Sequence, residues 1–98
     1  MNFQDKIILI TGAAGQLGRA IARDFIQKDG KVWLTDSDQS ALDQASKDLP
    51  KESVIGSLVM DVSSPESVVT AFSEIANKST RLDVLINNAG IGVFSPFW

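Results

Sequence analysis

The feature that most restricts this 98-residue chain is a junction near its start. There Ile7-Ile8-Leu9-Ile10 empties into Thr11-Gly12-Ala13-Ala14-Gly15-Gln16-Leu17-Gly18. Four consecutive apolar residues fit a strand covered on both faces. Glycines at 12, 15 and 18 then fit a tight turn, because a Cβ would block it. Directly behind the turn, Leu17, Ile21 and Phe25, with Ala20, Ala22 and Ile26 beside them, form a broad apolar stripe at helical spacing. A doubly covered strand that passes straight into an amphipathic helix is the first step of a helix packed on a parallel sheet.

The same alternation continues along the chain. Val32-Trp33-Leu34-Thr35, Val54 to Met60 and Val84-Leu85-Ile86 read as further strands. Gly30 is expected to end the first helix, since it tolerates a left-handed backbone. A second, more polar helix is expected from about Asp38 to Leu49, stopped by Pro50. A third begins at Ser63-Ser64-Pro65-Glu66, where serine can cap and proline suits the first turn. Its buried face is expected to carry Val68, Phe72, Ile75 and Ala76. The order is β-α-β-α-β-α-β. Right-handed crossovers would place the strands in one parallel sheet ordered 3-2-1-4, the first half of a Rossmann-type α/β fold. No repeat or linker divides the chain, so residues 1–98 are read as one dinucleotide-binding segment.

Composition narrows the chemistry. Nine Lys and Arg against twelve Asp and Glu give a net charge of −3, with no basic cluster for nucleic acid or for an anionic membrane. Cysteine and histidine are both absent. That removes thiolate nucleophiles, the usual metal ligands and the commonest general base. The apolar run at the N-terminus spans only four residues, too short for a signal sequence, and no stretch has the length of a membrane span. The expectation is a cytoplasmic protein without metal, nucleic-acid or membrane partners.

The glycine turn is where such a fold would hold a pyrophosphate. Backbone N–H groups at a helix start lack intrahelical acceptors and attract an anion. Glycines by themselves can equally do no more than connect strand to helix. Asp36 strengthens the binding reading, because it stands eighteen positions after Gly18 at the end of the second strand. An acid near that spacing can accept hydrogen bonds from ribose hydroxyls and repel a 2′-phosphate. The other reading of Asp36 is a solvated loop residue or a helix cap with Ser37 and Asp38. Ser37 follows Asp36 where an arginine would suit NADP, and Ala14 occupies a turn position where a base would do so. Arg19 is the cation nearest the turn. NAD is therefore favoured over NADP.

With Thr11-Gly12 through Gly18, Asp61-Val62 and Asn87-Asn88-Ala89-Gly90 in order, the chain resembles a short-chain dehydrogenase/reductase over essentially its whole length. Asn87 to Gly90 after an apolar strand are the most specific element. The resemblance implies that these residues steady the central sheet and line the cofactor site. It also implies that Asp61, with Val62, contacts the adenine ring; a turn or capping role ahead of Ser63 and Ser64 is the alternative. The expected cofactor site is thus Thr11, Gly12, Gly15, Gln16, Leu17, Gly18, Asp36, Ser37, Asp61, Val62 and Asn87 to Gly90.

Two departures qualify the resemblance. The subgroup with Asn-Asn-Ala-Gly usually has glycine or alanine two residues before the last glycine of the turn, where this chain has Gln16. Gly12, Gly15 and Gly18 instead follow the spacing of an epimerase-like subgroup. Further, the family's chemistry depends on tyrosine, a lysine four residues later and a serine, and this chain contains no tyrosine. Ser95 follows the fourth strand too closely to be that serine, so no catalytic residue is assigned. The expectation is the cofactor-binding part of an oxidoreductase, ending before the catalytic half, with the small-molecule substrate and any oligomer belonging to a complete chain. Val84 to Asn87 would then form an apolar open edge, and Phe94, Phe97 and Trp98 would lack their usual cover. A non-catalytic nucleotide-binding module and a sugar-nucleotide epimerase-like fragment are the alternatives.

Overall fold

A computed structural model describes residues 3–88. Four strands, β1 (Ile7–Ile10), β2 (Lys31–Asp36), β3 (Val54–Val59) and β4 (Val84–Ile86), alternate with three helices. The helices are α1 (Gln16–Gln27), α2 (Gln39–Lys47) and α3 (Pro65–Lys78), and a single 3-10 turn at Lys51–Ser53 precedes β3. The strands form one sheet ordered β3-β2-β1-β4, and every pairing is parallel. This is the expected order, and β4 stands at an edge of the sheet among the described residues.

Alternation along the strands divides the core into two layers. Ile8, Ile10, Val32 and Leu34 pack with Ala22 of α1 and Leu42 of α2 on one face. Leu9 and Trp33 pack with Ile75 and Phe72 of α3 on the other. Both layers use the same strands, which is why the apolar runs in β1 and β2 are continuous rather than alternating. Trp33 is fully buried, and its Nε1–H donates to the Ser79 hydroxyl at 2.9 Å, just past the end of α3. A bulge between Val32 and Trp33 sets Trp33 opposite Gly56 of β3. A Cβ on Gly56 would stand 2.6 Å from the indole ring, so the missing side chain makes room for Trp33.

Helix ends follow from local chemistry, with one correction. Asp38 caps α2 by accepting the Ala41 N–H at 3.1 Å, and Ser64 caps α3 with Pro65 in its first turn. At the end of α1 the left-handed residue is Asp29 (φ 70°), not Gly30. Asp29 N–H reaches Ile26 O and Gly30 N–H reaches Phe25 O, so two terminal carbonyls of the helix are satisfied. Aspartate tolerates this backbone because its short polar side chain can bond locally. Gly30 instead sits in a crowded place, where a Cβ would lie 3.1 Å from Phe25 O and 2.7 Å from the tip of the Ile8 side chain.

Three stripe residues also differ from expectation. Leu17 is 63% exposed, and Ala20 and Ala76 are exposed as well. Side chains lean toward the N-terminus of their helix. In the first turn of α1 that direction carries Leu17 past the ends of the strands, where no sheet lies beneath it. The buried positions of α1 are Gly18 and Ala22, and those of α3 are Ala71 and Ile75.

Candidate functional site

The expected site residues within 3–88 come from one end of the sheet, where β1, β2, β3 and β4 finish and the chain turns. Ala89 and Gly90 lie outside the described residues. Thr11 directly follows β1, is nearly fully buried, and is the hub between the glycine turn and the chain after β4. Its N–H donates to Ile86 O at 3.0 Å, and its hydroxyl donates to Asn87 Oδ1 at 3.1 Å. The same hydroxyl accepts the Asn88 N–H at 2.9 Å. Asn88 then reaches across with its side-chain amide, which donates to Gly12 O at 3.1 Å. Two segments 76 residues apart are therefore stitched by a threonine and two asparagines.

The three glycines of the turn have different physical reasons. Gly12 has φ 62°, a backbone that residues with a Cβ rarely adopt. Gly18 is buried against the turn, and a Cβ there would lie 2.3 Å from Gly12 O and 2.7 Å from Ala13 Cα. Gly15 is exposed, with an extended backbone open to any residue (φ −74°, ψ 170°). A Cβ on Gly15 would meet only Gly12 O, at an ordinary 3.8 Å. Nothing in the protein itself demands glycine at this position. Gly15 is also the N-cap of α1 and offers no side-chain cap, so the first N–H groups of the helix are not covered by a capping side chain.

Asp36, at the end of β2, faces this turn. Its Oδ2 accepts the Ala14 N–H at 3.0 Å, and its Oδ1 accepts the Asp38 N–H at 3.1 Å. It is not the cap of α2, a role taken by Asp38. The two bonds leave carboxylate lone pairs available, since an ionised carboxylate has about four acceptor positions. Ser37 beside it is exposed.

The strand ends are tied together further by Ala13 N–H on Thr35 O (3.0 Å) and Met60 N–H on Asp36 O (2.9 Å). Asp61 follows Met60 and is organised locally: its Oδ1 accepts the Ser63 hydroxyl at 2.6 Å and the Ser63 N–H at 2.9 Å. These bonds, the hydroxyl's first, hold its carboxyl below the ordinary carboxylate range. Val62 is exposed beside it, as are Gln16 and Leu17 at the start of α1. Among the described residues, the side-chain partner of Asp61 is Ser63, within its own turn.

Three residues outside the expected site take part as well. Ala13 and Ala14 carry the N–H groups that fasten the turn to β2, and both side chains are buried. Their small size is the signal that could have marked them, because the turn is pressed against the sheet. Arg19 is the third: its Nε–H donates to Ala14 O at 3.0 Å and its Nη1 meets Asp48 Oδ2 at 3.1 Å. It is tethered at both ends of its guanidinium, which no spacing in the sequence indicates.

Comparison with known proteins agrees with this geometry. The family model for short chain dehydrogenase matches residues 6–98. The meso-2,3-butanediol dehydrogenase of Serratia marcescens is 39% identical over 95% of this chain and 37% of its own length. A short chain dehydrogenase/reductase of Macrophomina phaseolina is 40% identical over 92% of this chain and 53% of its own. The chain thus spans from about a third to about half the length of these curated relatives. Among solved structures, a xylitol dehydrogenase with bound NAD+ superposes with a TM-score of 0.84 at 32% identity, covering 92% of this chain and 35% of that one. A short chain dehydrogenase from Mycobacterium smegmatis gives 0.83 at 32% identity, covering 97% and 40%. No helix among the described residues is long and apolar enough to cross a membrane.

Proposed function

The chain belongs to the short-chain dehydrogenase family, and from that premise we propose that residues 1–98 are the NAD-binding segment of an oxidoreductase. In the complete reaction a hydride passes between the nicotinamide and an alcohol or carbonyl carbon, and the cofactor supplies that chemistry when bound. This chain's residues bind and orient. Gly15 carries the argument: it is a glycine with no internal reason to be one, placed at an uncapped helix start where an anion would approach. The N–H groups of Gln16, Leu17 and Gly18 would meet the pyrophosphate, with Gly12 shaping the turn beneath. Asp36 would accept ribose hydroxyls with its remaining lone pairs, while Asp61 and Val62 would border the adenine. Thr11, Asn87 and Asn88 would hold the turn in place, and the family resemblance extends the same role to Ala89 and Gly90.

NAD rather than NADP follows from charge. The Asp36 carboxylate would repel a 2′-phosphate, Ser37 provides no cation, and Arg19 is already paired with Asp48. The NAD+ in the similar xylitol dehydrogenase is in keeping with this choice. With no tyrosine or histidine in the sequence, these residues supply no acid/base pair, and the chain by itself is expected to bind without turnover. Calorimetry with NADH and NADPH tests the assignment: NADH should bind tighter, and Asp36→Ala should narrow the difference. Tighter binding of NADPH by the unsubstituted chain would overturn the role given to Asp36.

A further inference from the structure

Arg19 and Asp48 stand outside the expected cofactor contacts, yet they connect to them through one residue. Ala14 donates its N–H to Asp36 Oδ2, and its carbonyl accepts the Arg19 Nε–H. The guanidinium therefore lies one residue from the carboxylate that would face the ribose. Its outer nitrogen is drawn to Asp48 at the end of α2. We propose that Asp48 is a specificity-determining positioning residue, which holds Arg19 away from the ribose end of the site and so protects the preference for NAD. This inference rests on the dinucleotide reading above.

The physical case has two parts. First, the pair is not locked by burial: the Arg19 and Asp48 side chains are 29% and 47% exposed. Exposed pairs of this kind are weak, so the loss of one partner changes where the other points more than it changes the fold. Second, the Nε–H bond to Ala14 O gives the guanidinium a pivot. With Asp48 neutralised, the outer nitrogens can turn about that pivot toward an anion beside Asp36. Arginine suits such a group, because its planar fork matches phosphate geometry. Asp48 thus acts through Arg19, and it needs no contact with the cofactor.

Calorimetric titration of NADH and NADPH into the chain, into Asp48→Asn and into Asp48→Asn combined with Arg19→Met tests this. The expected result is a NADPH-to-NADH affinity ratio raised by up to about fivefold in Asp48→Asn, equivalent to about 1 kcal/mol. The rise should vanish when Arg19 is also replaced. A purely structural role for Asp48 would lower both affinities together and leave the ratio unmoved, which overturns the proposal. A raised ratio that persists without Arg19 also overturns it, since carboxylate removal alone would then suffice. Failure of the unsubstituted chain to bind NADH is a separate result, because it removes the dinucleotide reading itself and this inference with it.

Discussion

Gly18 and Gly15 are three residues apart, and replacing each with alanine should give opposite outcomes. On Gly18 a Cβ would meet three backbone atoms: Gly12 O at 2.3 Å, Ala13 Cα at 2.7 Å and Ala13 C at 3.0 Å. Backbone cannot rotate away as a flexible side chain can, so α1 and the turn must separate by roughly 1 Å to restore ordinary contact. That shift pulls on the Ala13 bond to Thr35 and the Ala14 bond to Asp36. Overpacking of this sort costs about 2–3 kcal/mol. In a domain of this size that lowers the melting temperature by roughly 10–20 °C. Urea or thermal denaturation followed by circular dichroism reads it directly. On Gly15 the added carbon has room and an allowed backbone, so stability should change by no more than about 0.5 kcal/mol. NADH affinity, however, should fall by about tenfold or more, because the Cβ occupies the approach to the helix start. A Gly18→Ala protein as stable as its parent would refute the packing argument. Undiminished NADH affinity in Gly15→Ala would refute the phosphate site.

Four further outcomes follow from individual side chains. Asn88→Ala removes the amide bond to Gly12 O, and denaturation should show a loss of about 1 kcal/mol. Asn88→Asp should cost more, because its carboxylate would face that carbonyl. Ser79→Ala strips the acceptor from the buried Trp33 Nε1–H, an expected loss of about 1–3 kcal/mol in chemical unfolding. Asp83 has its carboxyl held below the ordinary value of 3.8, first by the Ile7 N–H at 2.8 Å and further by Arg81. Its contribution is present above pH 3.8 and lost as acid titrates it below that value, so Asp83→Asn should flatten this part of the acid limb of a stability-versus-pH curve.

The strand and helix order was legible in the chain, for a physical reason. Ile7 to Ile10 and Val32 to Thr35 are apolar without alternation, which only a doubly covered strand tolerates. Parallel strands joined by helices then leave few topologies. Serine before proline at 64 and 65 marked a helix start because capping is a local interaction. Errors arose where burial decides. Leu17 fits the periodicity of its helix, but periodicity does not report where the sheet beneath it ends. Gly30 fits a helix stop, but the left-handed position falls on Asp29, and Gly30 lies against Ile8 and the Phe25 carbonyl, a crowding that exists only once helix and sheet are packed.

For the site, residue types and spacing singled out the glycine turn and Asp36, since tight turns and carboxylates at strand ends have few uses, while Thr11 and Asn87 to Gly90 came from the family resemblance. Only the tertiary structure decided what the described ones touch. Thr11 meets Asn87 and Asn88 because β1 and β4 are neighbours in the sheet, although most of the chain separates them in sequence. Asp36 turned out to fasten the glycine turn as well as to face it, and Arg19 to be tied to Asp48. Sequence patterns record what each segment needs locally, in backbone freedom, capping and apolar cover. Contacts between segments depend on strand order and helix placement, and these exist only once the sheet has formed.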